Sequence, residues 1–344
     1  MTAIFLILLL ADPGSGTFSI VGRDPQTGEL GVAVASRVLD AGYIVPWLEA
    51  GAGAIASQAL ANPWLGVWGL QDLAAGRTAD EVLKDNLARD SAFEDRQIGI
   101  VDKDGRSAAF TGKNCNAWAG HRTGDNYSIQ GNILTGPEVV DSMTAVFLRT
   151  TGPLAERLLA ALEAGDKAGG DKRGRQSAAL YVVLHRSGYQ GADDRLVDLK
   201  IVDLADPVKE LRRLYELWQF NFMAPAYIRL SDEIEDRETS ENYLGRAYDL
   251  LMKALKSGVE TPEVFNSLAW EFALRKKYPK ETVLAANLAH ELAPDDPNIM
   301  DTVAEAYFAA GDKSKAVYWE KEALKRDPEN EFFKGQLKKF QGKK

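Results

Sequence analysis

Residues 16–36 restrict the fold more than any other stretch of this chain. Gly16-Thr17-Phe18-Ser19-Ile20-Val21-Gly22 alternates in the manner of a strand, and Leu30-Gly31-Val32-Ala33-Val34-Ala35-Ser36 runs back beside it. Between them Asp24-Pro25-Gln26-Thr27-Gly28 supplies a turn, with a proline that fixes φ and a glycine where φ can be positive. The hairpin starts a β-sheet on a threonine that follows a glycine. If the Gly16-Thr17 bond is cut, one residue carries a hydroxyl nucleophile and, in its α-amine, the base that activates it. The chemistry suggested is amide hydrolysis through a covalent ester.

Further strands are expected over residues 52–58, 96–101, 106–111, 127–133, 177–184 and 195–202. The pair at 96–101 and 106–111 is a hairpin around Asp102-Lys103-Asp104-Gly105. Helices are expected after the turn Asn62-Pro63-Trp64-Leu65-Gly66, ending near Gly76, from the capping box Thr78-Ala79-Asp80-Glu81, over 137–149 and 153–164, and from Asp206-Pro207 to Tyr215. Residues 40–49 read as a loop, and 112–125 as a polar, glycine-rich segment. Strands, helices, strands, helices and strands follow one another, and hairpins dominate. The reading is an α+β domain with mainly antiparallel sheets and helices outside. A four-layer αββα sandwich satisfies it, and so does a simpler stack.

After about Asn221 the pattern is helical only. Ala304, Tyr307, Gly311, Ala316, Ala323 and Pro328 stand at offsets 0, 3, 7, 12, 19 and 24, the ladder of a tetratricopeptide repeat. Leu268, Ala269, Phe272, Ala289 and Pro294 form the unit before it, and 243–256 reads as the second helix of an earlier, degenerate unit. The expected organisation is a leader over 1–16, a catalytic-type domain over 17–220, a linker over 221–238 and a repeat domain over 239–340.

The net charge of −9 argues against a general nucleic-acid binder. One cysteine and three scattered histidines suggest neither a disulfide nor a dedicated metal site, and no metal or organic cofactor is expected. The apolar run Ile4-Phe5-Leu6-Ile7-Leu8-Leu9-Leu10 is too short to span a membrane and suits a signal-peptide core, although no Lys or Arg precedes Arg23. Export to the periplasm or medium is therefore expected, or retention in the cytoplasm if the leader is a propeptide.

Several segments resemble a bacterial and archaeal family, domain of unknown function 1028. They are Thr17 to Val21, Gly28 to Arg37, Trp118 to Arg122, Gln130 to Leu134, and Gly169-Gly170-Asp171-Lys172-Arg173-Gly174-Arg175-Gln176-Ser177-Ala178-Ala179. That family looks like a member of the N-terminal-nucleophile hydrolase superfamily. The resemblance implies the αββα sandwich and a nucleophile at Thr17. Ala35-Ser36-Arg37 is also similar to proteasome β-subunits, which mature by cutting a Gly-Thr bond. The lysine that such sites take from the next strand is absent, since no Lys or Arg lies between Tyr43 and Asn62.

Thr17 and Asn132 are thus the candidate catalytic residues, Asn132 as an amide donor to an oxyanion. Ser36, Arg37, Asp171, Arg173 and Ser177 are candidate substrate contacts, with the basic loop suited to an anionic group. Cys115 and His121, six residues apart, offer a rival thiolate–imidazole nucleophile. The implied partners are a small amide or peptide-like substrate, a protein held by the repeats, and a second copy in a homo-oligomer. A non-catalytic scaffold whose repeats bind a protein or cell-wall partner is the alternative reading.

Overall fold

The computed structural model describes residues 16–342, so the expected leader lies almost wholly outside the described residues. The chain divides into two compact units, Met1–Glu216 and Leu217–Lys344.

The first unit contains β1 (Thr17–Arg23), β2 (Leu30–Ser36), α1 (Ala41–Ile44), β3 (Pro46–Glu49), β4 (Gly53–Ala59), α2 (Pro63–Ala74) and α3 (Ala79–Arg89). After these come β5 (Arg96–Asp102), β6 (Ser107–Thr111), β7 (Gly120–Gly124), β8 (Tyr127–Asn132), α4 (Glu138–Arg149), α5 (Leu154–Lys167), β9 (Ser177–Val183), β10 (Arg195–Ile201) and α6 (Pro207–Trp218). One sheet has the order β10-β9-β2-β1-β8-β7 and the other β3-β4-β5-β6, with antiparallel pairing throughout.

The two sheets face each other. Val21, Val32 and Val34 pack against Ala54, Ala56 and Val101 of the smaller sheet. The alternate residues of the smaller sheet, Ile55, Ile98 and Ile100, turn outward onto Leu65 and Leu73 of α2 and Val82 of α3. Helices α4 and α5 cover the outer face of the larger sheet. Their approach is close enough to require glycine: a Cβ on Gly31 would lie 2.6 Å from Leu158 of α5. The result is four layers, helix–sheet–sheet–helix. It explains why β1, β2 and β4 read as nearly continuous buried runs, for both faces of each strand are covered.

The capping box of α3 forms as expected, with Thr78 and Glu81 bonding reciprocally. Three short elements escape the sequence reading. Residues 40–49, expected as a loop, hold α1, capped by Asp40, and β3, which pairs with β4. The polar stretch 112–125 hides β7, an edge strand turned onto β8 through Asn126 at φ +67°. Four- and five-residue elements are too short for a periodic signal.

The second unit is all helical: α7 (Ala224–Glu233), α8 (Arg237–Ser257), α9 (Pro262–Leu274), α10 (Pro279–Leu292), α11 (Pro297–Ala309), α12 (Lys313–Arg326) and α13 (Glu331–Gln341). Neighbouring helices pack in pairs, α7 on α8, α9 on α10 and α11 on α12, giving a tetratricopeptide-like array. The ladder positions Ala269, Phe272, Ala289, Ala304, Ala316 and Ala323 are fully buried. Gly311 turns α11 into α12 at φ +88°, in the left-handed region where glycine carries no steric penalty. Residues 221–238, read as a linker, contain α7 after a π-helical turn, Gln219–Met223. Ala224, Tyr227, Ile228 and Ser231 recur at helical spacing and are buried, so this segment is the partner of α8. Among the described residues no helix is long and apolar enough to cross a membrane.

Candidate active site

Four polar residues end in one row across the middle of the larger sheet. Ser177 pairs with Ser36, Ser36 with Thr17, and Thr17 with Asn132. Directly opposed residues share a face of the sheet. Here it is the inner face, as Ser19, two residues along from Thr17, shows by bonding to Gln58 of β4 at 2.6 Å. All four side chains are buried.

Thr17 Oγ1 stands 3.0 Å from Ser36 Oγ. The Ser36 hydroxyl also donates to the carbonyl oxygen of Gly16. A serine has one proton to give, so the Thr17 hydroxyl is the donor toward Ser36. A second donor reaches the same Gly16 carbonyl, Nη2 of Arg173, at 3.1 Å. The carbonyl carbon bonded to the Thr17 nitrogen therefore has two polarising donors beside it and a hydroxyl one hydrogen bond away.

Arg173 is held by its neighbour Asp171. The buried Asp171 carboxylate accepts from Arg173 Nε at 3.1 Å and Nη2 at 2.8 Å, from the Arg173 amide at 2.9 Å and from the Arg37 amide at 3.0 Å. Gly169, Gly170 and Gly174 take positive φ, and the loop is stitched to the end of β8 by Lys172 N to Ile133 O and Thr135 N to Gly170 O. Gly16 lies against this carboxylate, where a Cβ would come within 2.5 Å of Asp171 Oδ1. Arg37 gives its guanidinium to the Arg173 carbonyl at 2.6 Å, so its role in the structure is to brace the loop. Ser177 donates to the Val38 carbonyl at 2.7 Å and accepts from the Ala41 amide at 3.0 Å. Its hydroxyl pins the chain after β2.

Asn132 is turned inward. Its Nδ2 donates to Gln97 Oε1 at 3.0 Å, the first rung of a buried amide ladder between the sheets. Gln58 Nε2 donates to Gln97 Oε1 at 2.8 Å and to the Thr17 carbonyl at 3.3 Å. Gln97 Nε2 donates to the Gly131 carbonyl at 2.8 Å, and Gln130 Nε2 to Ser19 Oγ at 2.7 Å. Sequence reading missed Ser19, Gln58, Gln97 and Gln130, and Ser128, whose hydroxyl donates to Gln130 Oε1 at 2.8 Å. Their signal is present: polar residues at inward-facing positions of otherwise apolar strands.

The rival pair does not assemble. Cys115 Sγ donates to the Arg96 carbonyl, and burial pushes its thiol up. His121 Nδ1 is matched with Thr111 Oγ1 at 2.9 Å, and burial pulls its imidazole down. Neither a thiolate nor an imidazolium is favoured there. Among the described residues no group of three or more His, Cys, Asp or Glu side chains is placed to hold a metal.

Beside the row, under the 169–175 loop, lies a cavity of about 380 Å³. From the sheet, Phe18, Ala35, Ser36 and Ser177 line it, and Pro207 and Val208 of α6 form part of its wall. Arg212 anchors α6 to α5 through Glu156 at 2.8 Å and Glu163 at 3.0 Å.

Fold and site together define an α+β domain of two facing antiparallel sheets with a buried hydroxyl at the head of a central strand. A family model, DUF1028, described as a family of unknown function, matches residues 17–211, and the chain belongs to that family. A crystal structure of protein SPO2555 from Silicibacter pomeroyi, assigned to the same family, is 31% identical, with 61% of this chain and 92% of that one covered and a TM-score of 0.55. TTC0263, a thermophilic tetratricopeptide-repeat protein of Thermus thermophilus, is 22% identical, with 39% of this chain and 68% of that one covered and a TM-score of 0.34. No curated protein sequence matches the chain.

Proposed function

We propose that the domain is an N-terminal-nucleophile amide hydrolase in which Thr17, freed from Gly16, is the nucleophile. Its hydroxyl adds to the carbonyl carbon of an amide while its α-amine takes the hydroxyl proton. The amine then returns that proton to the leaving nitrogen as the C–N bond breaks, leaving an ester on Thr17. Water, deprotonated by the same amine, hydrolyses the ester. The observation that carries the reading is the clasp on the Gly16 carbonyl by Ser36 and Arg173, with the Thr17 hydroxyl beside it. Those two donors are the groups we assign to the oxyanion. Asn132, opposite Thr17 in the sheet, gives one amide proton to Gln97 and keeps a second, which we assign as a further donor. Asp171 positions Arg173, and Arg37 braces the loop. The helical array is the part we assign to holding a protein partner, since arrays of this type present extended binding surfaces.

The test is turnover on a panel of N-acyl amino acids, linear peptides and cyclic amides. Thr17→Ser is expected to keep measurable hydrolysis and Thr17→Ala to lose at least about 10³-fold. Full turnover by Thr17→Ala overturns the reading, and absence of turnover by wild type on every member of the panel favours the scaffold.

A further inference from the structure

We infer that the cavity beside Thr17 binds the anionic head group, carboxylate or phosphate, of a small ligand. In the proposed reaction this makes the substrate an anionic amide, and that last step alone rests on the proposed function.

Five charged side chains line the cavity: Asp166, Lys167, Asp171, Lys172 and Arg175. Both carboxylates are already neutralised within the fold. Asp166 is bound by Arg175 Nε at 2.6 Å, and Asp171 by Arg173 at 2.8 Å. The lysines are not. Neither Lys167 nor Lys172 makes an ion pair among the described residues. Lys172 Nζ gives one hydrogen bond to a neutral acceptor, the Ala117 carbonyl at 3.1 Å, and an ammonium has three protons. The cavity therefore carries an uncompensated positive charge in a chain whose net charge is −9. Such local excess draws an anion against the sign of the whole molecule.

The volume sets the ligand's scale. At about 380 Å³ the cavity is near the lower end for small-molecule sites, the size of an acylated amino acid and too small for a folded partner. Ser36, in its lining, is one hydrogen bond from Thr17. A ligand whose anion is held by these lysines occupies the same cavity that Ser36 and Ser177 line.

The experiment is calorimetric titration of the full chain, at low ionic strength, with N-acetylglycine, its uncharged amide N-acetylglycinamide, and inorganic phosphate. Wild type and Thr17→Ala are both expected to bind one or both anions saturably, and the uncharged amide at least tenfold more weakly. The Lys167→Ala/Lys172→Ala double variant, at two exposed positions, is expected to lose at least tenfold in anion affinity. The stronger of the two anions identifies the head group. Equal binding of the charged and uncharged probes, anion binding indifferent to the two lysines, or no binding of any probe overturns the inference. Because binding is read on Thr17→Ala as well, the outcomes separate. Anion binding with no dependence of turnover on Thr17 removes the hydrolase reading and leaves the site. Thr17-dependent turnover with no anion binding does the reverse.

Discussion

Thr17 Oγ1 is 3.0 Å from Ser36 Oγ, and the proton of Ser36 goes to the carbonyl of the residue before Thr17. One serine thus touches both the proposed nucleophile and the bond whose cleavage would free its amine. Ser36→Ala removes a donor from the carbonyl and an acceptor from Thr17. Loss of one such donor costs roughly 10²–10³ in rate. Turnover on any amide that wild type cleaves is expected to fall by that factor, with an unchanged circular-dichroism spectrum.

The Asp171–Arg173 pair has a different signature, because the carboxylate is buried and accepts four hydrogen bonds. Asp171→Ala strands Arg173 and the Arg37 amide. Breaking a buried pair from one side costs about 3–5 kcal/mol, with the lower end expected here because Arg173 is partly exposed. Urea unfolding of the first unit is expected to show that loss. The Arg173→Ala variant, which leaves the carboxylate its two backbone donors, is expected to lose less.

Gln97 sits where the two sheets exchange hydrogen bonds. Gln97→Leu leaves the Asn132 amide without its acceptor and removes one acceptor from Gln58 and one donor from the Gly131 carbonyl. At about 1–3 kcal/mol for a buried group left unpaired, a loss of about 2 kcal/mol is expected in chemical denaturation. A variant that unfolds at the wild-type midpoint would contradict the role given to the ladder.

Much of this was legible in the chain. The first hairpin, the capping box of α3 and the repeat ladder each carry a local signal, and the structure shows all three. The four-layer stacking is not local. It depends on which face of β4 meets which face of β1, and a strand buried on both faces gives no alternation to read. The site divides along the same line. Thr17, Ser36, Asn132 and Ser177 come from four strands distant in sequence, and only sheet register puts them in a row. The glutamine ladder was passed over because a single polar residue in an apolar run looks like noise until its partner strand is known. The segment at 221–238 has no side-chain cap to mark its helix: α7 follows directly on a π-helical turn, with a proline in its first turn, where the missing N–H costs no hydrogen bond.

The second unit carries a pH dependence of its own. Glu320 of α12 and Asp301 of α11 are buried together, near Glu305, with Gln336 and Lys339 of α13 as the other polar neighbours. Burial, reinforced by Asp301, pushes Glu320 up to about 9, and burial first of all pushes Asp301 up to about 6. A carboxyl whose pKa is raised on folding stabilises the fold below its unfolded value and loses that contribution as pH climbs through the folded value. Unfolding of the helical unit is therefore expected to become easier between about pH 5 and pH 9. Glu320→Gln, neutral throughout, is expected to flatten the profile and to be the more stable protein at pH 9. A Glu320→Gln profile parallel to wild type would contradict the assignment.

The central claim is that Thr17 becomes a chain terminus. Intact mass and N-terminal sequencing of the purified protein, wild type beside Thr17→Ala, measure this directly. The account predicts a wild-type chain that begins at Thr17. If Thr17→Ala keeps its leader, Thr17 cuts its own chain; if the variant is also cut before residue 17, a separate peptidase does so. A wild-type chain that begins anywhere other than Thr17 has no free amine on that residue and contradicts the mechanism.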